Sequence, residues 1–546
     1  MDFVFTLHSH LPYVLNHGRW PHGSDWLCEA ALDTYLPLVE QLRRLERDRV
    51  PAPVTIGFTP VLANQLASPA FGAELEAFFD QRLAACAEAP ASLASTGDQT
   101  LLPLVTYWRE RFERLRQVFR STDGNLLGEF RALRERGALE IIGSAATHGY
   151  LPLLRRDESI RLQLGVGYQE HTRLLGAAPV GCWLPECAYR PARGARPGIE
   201  THLAEAGFRY CFVDAHLASA GMPLGSYGDV PLGAERFDAE RHEGTREPAV
   251  KASRTPYAPY RISRARPGVT ALVRDPRSSM QVWSRQQGYP GDESYLEFHK
   301  IRWPGGLKLW RVTGGNVDLG DKQAYEPERA RHKTSDHARH FADLLSSIAG
   351  EKAPLVVAPF DTELFGHWWF EGVDFIDAIY RELRHRPAIR PVTAGAHLAG
   401  APAPAAVQLA EGSWGVNGDH SMWMNPQTRW TWERLWPLED AFWNAAPAAL
   451  ASPAARPVLA QAARELLLAQ ASDWQFIIST GAVPDYAERR FRGHCDDTTR
   501  LLGTLAAGTL DGGTRLAEEL WVRDHVFPDV LDAVAGALAA PAAAVR

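Results

Sequence analysis

The sequence predicts an α/β protein, a parallel barrel of about seven strands that carries a helical insertion and is followed by a C-terminal helical domain. Three observations predict it. Short apolar, β-branched runs recur at 3–7, 54–58, 139–143, 180–183, 209–214, 269–274 and 355–360. Amphipathic stretches lie between them, at 32–47, 159–175 and 337–348, so strand and helix alternate as βα units do. Five of the strand runs end in a cluster of polar and aromatic residues.

Taken in order, the first strand run lies in MDFVFTLHSHLP, which has no basic region and no small-residue cleavage site, so no signal peptide is expected. Residues 66–130 have mainly helical patterns, at 72–88 and 107–119, and read as an insertion between the second and third strands. Residues 218–268 are rich in Gly, Pro and Arg, with mixed charge and no period. A loop of that length inside a compact domain is either a functional element or a solvated excursion. The composition turns Ala/Pro-rich in GAHLAGAPAPAA, which marks 396–406 as a linker. It separates a barrel domain, 1–395, from a helical domain, 407–546, with patterns at 429–443, 457–471, 483–505 and 514–520. The tail GALAAPAAAVR is expected to fray.

Composition narrows the function. The chain of 546 residues is too long for one compact core. A net charge of −7 offers no polyanion-binding surface, so nucleic acid is not an expected partner. No apolar stretch is long enough to span a bilayer, so no membrane partner is expected either. Cys28, Cys86, Cys182, Cys187, Cys211 and Cys495 include no CxxC pair and fit neither a zinc site nor a disulfide framework. Reduced thiols and a cytoplasmic location follow. Oligomeric state has no signature in the sequence. The 17 Trp and 15 Tyr serve either a large core or flat surfaces that stack on a ligand.

The strand-end clusters carry the chemistry. They hold His8 and His10; Thr147 and His148; Trp183, Glu186 and Tyr189; Asp214 and His216; and Asp361, Glu363, His367, Trp368 and Trp369. In a parallel barrel the carboxyl ends of the strands converge on one face. A single strand-end histidine is ordinarily a hydrogen-bonded structural residue, but five clusters in one chain point to a shared cleft. Two carboxylates flanked by aromatics suit glycosyl transfer. One attacks the anomeric carbon; the other protonates the departing oxygen and then deprotonates the incoming hydroxyl. The plainer readings are a salt-bridged Glu186 and an Asp361 that caps the helix begun by Thr-Glu-Leu-Phe. A second chemistry also stays open. His8 and His10 share one strand face and, with a further His and Asp, could bind zinc as in a barrel metallohydrolase.

HSHLPYV, GSAATHGYLPLL, WLPECAY, FVDAHL, QVWSRQQGYPGD, APFDTELFGHWWFEG, EGSWG and ASDWQF resemble glycoside hydrolase family 57, and within it the 1,4-α-glucan branching enzymes. The resemblance runs from His8 to Gly481. It implies a (β/α)7 barrel, a distorted TIM-like fold, with Glu186 as nucleophile and Asp361 as acid/base. It implies an α-glucan partner (amylose, amylopectin or glycogen), no metal and no organic cofactor. It puts His8, His10 and His148 along the donor site, Trp20, Trp283, Trp414 and Trp423 at aromatic positions of the cleft, and Asp473 and Trp474 in a motif that the helical domain brings to the site. Asp214, His216 and Trp369, from the strand-end clusters, complete the expected substrate-binding set. The family's branching enzymes carry a tyrosine important for transfer in a mobile loop. Here the matching stretch, 218–268, is longer and more basic, and Tyr227, Tyr257 and Tyr260 are the candidates to fill that place, with Tyr227 counted in the expected substrate-binding set. The expected activity is branching by retaining double displacement. An α-amylase or a 4-α-glucanotransferase is the alternative within the family.

Overall fold

Each of the seven apolar runs forms a strand: β1 (Asp2–Ser9), β2 (Val54–Phe58), β3 (Leu139–Ser144), β4 (Gly181–Trp183), β5 (Tyr210–Val213), β7 (Thr270–Val273) and β8 (Leu355–Asp361). They belong to a computed structural model that describes residues 1–19, 22–224, 254–262, 268–283 and 288–539. All neighbours pair in parallel, in the order β7-β5-β4-β3-β2-β1-β8. β2, β4 and β5 are buried along their whole length, as continuous apolar runs covered on both faces must be. Among the described residues no ladder joins β7 to β8. Instead the Asp275 N–H, just past β7, donates to the Val357 carbonyl of β8 at 2.8 Å. The sheet thus curls into a seven-stranded barrel whose seam is spanned by that bond. Outside the barrel, β6 (Tyr260–Arg261) pairs antiparallel with β7, β9 (Arg390–Pro391) pairs with β1, and β10 (Ala405–Ala406) pairs with β6.

Helices pack around this sheet. Leu36–Arg47 follows a π turn at Ala31–Tyr35, which delivers the Tyr35 hydroxyl to the Glu363 carboxyl. The insertion consists of Pro69–Thr96, Leu102–Ser121 and Leu126–Glu135. Its first helix continues through Pro90 to an αL cap at Gly97, beyond the expected stop near residue 88. The stretch expected to be a linker is ordered: Ala394–Gly400 is helical, and β10 follows.

Beyond it lie Arg429–Ala451, Arg456–Ala469, Asp473–Thr480, Pro484–Ala507, Leu510–Arg523 and Val530–Ala539. Two expectations change here. The pattern at 457–471 stops at Ala469, and a new helix begins at Asp473, so Ser472 and Asp473 stand at a helix start. The first four residues of the tail expected to fray, 536–539, instead end helix Val530–Ala539, whose Ala533 lies against Gly165 of helix Asp157–Leu175; residues 540–546 lie outside the described residues. Alanine's high helix propensity and this contact explain the order.

A polar clasp fixes the helical region to the segment after β1. Arg490 Nη2 donates to the Tyr13 carbonyl at 2.7 Å and His17 Nε2 meets Asp524 Oδ1 at 2.6 Å, while His494, edge-on to His17 at 5.7 Å, is held within the helical region by Glu465 Oε2 at 2.7 Å. Among the described residues no helix is long and apolar enough to cross a membrane.

Candidate active site

The carboxyl ends of the strands and the start of helix Asp473–Thr480 meet at one place. β1 ends beside β8 with His8 in register with Asp361. His8 is buried, its ring stacked on Trp183 at the end of β4 (4.7 Å, 10°). Its Nε2 lies 3.0 Å from His148 Nε2. His148 stands past β3, and its Nδ1 is 2.9 Å from the Ser472 hydroxyl and 3.7 Å from Glu186 Oε1. His10 is engaged on both nitrogens, Nδ1 with Thr59 Oγ1 at 2.9 Å and Nε2 with Asp473 Oδ2 at 2.9 Å. His10 thus meets a separate partner on each nitrogen, while His8 and His148 face each other through Nε2, and the three rings form one hydrogen-bonded group.

Glu186 follows β4 with a left-handed backbone, φ 59° and ψ 23°. A non-glycine residue held there costs about 1–3 kcal/mol and persists only when its surroundings fix it. They do so here. The Trp414 N–H donates to the Glu186 carbonyl at 3.0 Å, and Tyr189 and Gly412 exchange two backbone hydrogen bonds of 2.8 and 3.0 Å. The carboxylate is held from the same side, with the Trp414 indole N–H donating to Oε2 at 2.9 Å and the Ser472 hydroxyl to Oε1 at 3.3 Å. Burial pushes this carboxyl up to about 7, while the Trp414 bond works the other way.

Asp361, the last residue of β8, is treated differently. It opens a 3-10 turn, but its side chain makes no capping bond, so helix capping does not account for it. Burial first, then the charges of Glu363 and Glu186, hold its carboxyl well above the usual carboxylate range; Arg274 opposes them. Glu363 is itself pushed up to about 7 by burial. It accepts from the Tyr35 hydroxyl and from the His10 N–H.

The remaining expected residues divide. Asp214 is buried beside His216 Nδ1 (3.5 Å) and Arg274 Nη1 (3.9 Å). Burial works to raise its carboxyl, but the His216 and Arg274 contacts outweigh it and hold the value low. His216 reaches the Gly418 carbonyl at 2.8 Å, where a Cβ on Gly418 (φ +71°) would lie only 2.6 Å from the imidazole. Trp283 packs edge-on against Trp414 at 5.8 Å, and the Arg274 guanidinium lies 5.3 Å over Trp414. Trp414 is 3% exposed, so it serves as a donor to Glu186 and not as an open stacking wall. Trp423 is stacked on Tyr150 at 4.4 Å, and Trp474 donates to the Leu468 carbonyl; both are fully buried. Trp369 sits in a core of Tyr295, Phe365 and Phe375, whereas its neighbour Trp368 is 40% exposed. Trp20 and Tyr227 lie outside the described residues. Sequence reasoning missed Ser472, Thr59, Tyr35 and Arg274 as contacts of this site. Only the adjacency of Ser472 to Asp473 and of Arg274 to the end of β7 hinted at them.

A profile described as glycosyl hydrolase family 57 matches residues 4–402. The chain belongs to glycosyl hydrolase family 57. A second profile, 1,4-alpha-glucan branching enzyme, C-terminal, matches residues 439–533. Among family 57 relatives, a 1,4-alpha-glucan branching enzyme of Thermococcus kodakarensis is 38% identical over 97% of this chain and 77% of its own. The crystal structure of a family 57 branching enzyme from Pyrococcus horikoshii superposes with a TM-score of 0.86 at 37% identity, covering 98% of this chain and 96% of that one. That of an α-amylase from Thermotoga maritima superposes with 0.80 at 29% identity, covering 98% and 99%.

Proposed function

We propose that this family 57 chain is a 1,4-α-glucan branching enzyme that works by retaining double displacement, with Glu186 as nucleophile and Asp361 as acid/base. The observation that carries the mechanism is the opposite treatment of two carboxyls at one barrel mouth: donors on Glu186, and on Asp361 negative neighbours without a side-chain donor among the described residues. A Glu186 oxygen attacks C1 of an α-1,4-linked glucosyl unit as Asp361 passes its proton to the departing O4. The C1–O4 bond breaks, and the donor chain stays covalently on Glu186. Asp361, now the base, takes the proton of an acceptor 6-hydroxyl; O6 attacks C1, the bond to Glu186 breaks, and an α-1,6 branch results.

Branching, ahead of hydrolysis, is supported by the likeness of both halves of the chain to branching enzymes. His8, His10 and His148 frame the donor sugar, and the half-buried Trp283 and the exposed Trp368 keep ring surface open for stacking. The partition into a catalytic barrel at 1–395 and a helical domain at 407–546 fits this division of labour. Six buried, unpaired cysteines suit the cytoplasm. The test is incubation with amylose followed by debranching of the product. New α-1,6 linkages are expected; shorter linear chains alone would turn the assignment to amylase or 4-α-glucanotransferase.

A further inference from the structure

The two oxygens of Glu186 are held by different donors, Oε2 by the Trp414 indole and Oε1 by the Ser472 hydroxyl. That hydroxyl also lies 2.9 Å from His148 Nδ1, and His148 Nε2 lies 3.0 Å from His8 Nε2. The four side chains form an unbranched row, and hydrogen-bonding rules give the row a direction. An ionised carboxylate only accepts, so Ser472 gives Glu186 its single proton. The Ser472 oxygen must then accept from His148, which places the His148 proton on Nδ1 and leaves Nε2 bare. His8 is therefore the donor, protonated on Nε2 and bare on Nδ1.

An independent observation agrees. His8 Nδ1 is buried and has no hydrogen-bond partner among the described residues. It faces Gly57, where even an added Cβ would come to 3.6 Å. A bare acceptor is tolerated in such a place better than an orphaned N–H. Reversing the row would need a proton on Glu186 and would strand an N–H at that spot. Burial, followed by the charge of neighbouring histidines, keeps both imidazoles well below their usual values, so neither carries the second proton that would scramble the order. Ser472 is also fixed in register, since its N–H donates to the His148 carbonyl at 3.2 Å.

We infer that Ser472 is a positioning residue for Glu186, the last donor in a directed chain from His8 through His148 to Ser472 to the carboxylate. The barrel's carboxylate is thereby held by a residue that only the docked helical region supplies. His10 stands apart from this chain, committed to Thr59 and Asp473. The kinetic consequence rests on Glu186 as nucleophile; the proton arrangement does not.

The direct test is neutron diffraction on perdeuterated wild-type crystals at about pH 8.5, where Glu186 is ionised. Deuterium is expected on His8 Nε2 and His148 Nδ1, with His8 Nδ1 and His148 Nε2 bare. Deuterium on His148 Nε2 with a bare Nδ1 would overturn the inference. In kinetics, Ser472→Ala should lower kcat for total bond cleavage about tenfold with KM little changed, the scale of one hydrogen bond to a charged group, and Ser472→Thr should recover most of it. A folded Ser472→Ala variant with wild-type kcat would equally overturn the positioning role. An active Glu186→Gln variant would remove the nucleophile assignment and leave the deuterium pattern as it stands, so the two failures are distinct.

Discussion

The ends of β4 and β8 carry the same functional group in opposite surroundings. Glu186 receives two hydrogen bonds from residues beyond 406, and its strained backbone is pinned by the same segment. Asp361 receives no side-chain hydrogen bond among the described residues and is flanked by the like charges of Glu363 and Glu186. Donors favour the ionised form and negative neighbours the protonated one. The barrel thus supplies both groups, while the helical region, docked through the Arg490–Tyr13 and His17–Asp524 bonds, supplies the donors that favour an ionised Glu186.

The comparison can be broken most sharply at its centre. Glu186→Gln removes the attacking oxygen with little change of volume, and turnover should fall by roughly 10^4-fold or more. The melting temperature should hold, because the amide still accepts from Trp414. A Gln variant that cleaves amylose at near wild-type rates would exclude Glu186. Asp361→Asn should cost about 10^2–10^4-fold on amylose and much less on a substrate with a good leaving group. Equal losses on both substrates would argue against an acid role.

Two smaller effects sharpen the contrast through pH. On the proposed mechanism cleavage needs Glu186 ionised and Asp361 protonated, so kcat/KM should fall as pH drops through about 7, and again where Asp361 loses its proton. Trp414→Phe removes a donor to the ionised form and should move the acid limb up by about one unit. Glu363→Gln keeps an acceptor for Tyr35 and His10 but removes a like charge beside Asp361, so the alkaline limb should move down, by less than about one unit. A Trp414→Phe profile that moved the other way would mean that the indole is not a donor to the carboxylate.

The strands were legible because each is an apolar run bounded by polar residues, and β2, β3 and β8 begin where the sequence places them. The gathering of polar residues at strand ends was legible too, because barrel topology brings those ends together whatever the sequence distance. What the tryptophans do was not. An indole offers both a ring face and an N–H, and sequence does not say which is used. Trp414 was expected to shape the cleft with its face, yet it is buried and donates to Glu186. In the pair Trp368–Trp369 the exposed ring is the first, because the turn after β8 sends the second into the aromatic core. Ser472 lies 286 residues from Glu186 and is polar and ordinary; its role exists only once the break between two helices lies against the His148 turn. The helix Val530–Ala539 escaped notice because an Ala-rich tail gives little amphipathic contrast.

The central claim is a covalent glucan intermediate on Glu186. The most direct measurement is mass spectrometry of peptides from the Asp361→Asn variant, quenched after reaction with an α-glucosyl fluoride deactivated at the ring. The good leaving group allows the first step without an acid, and the missing base stalls the second. A single hexosyl adduct on the peptide that contains Glu186 is the predicted result. An adduct on any other residue, or none together with a product of inverted anomeric configuration, would contradict the account.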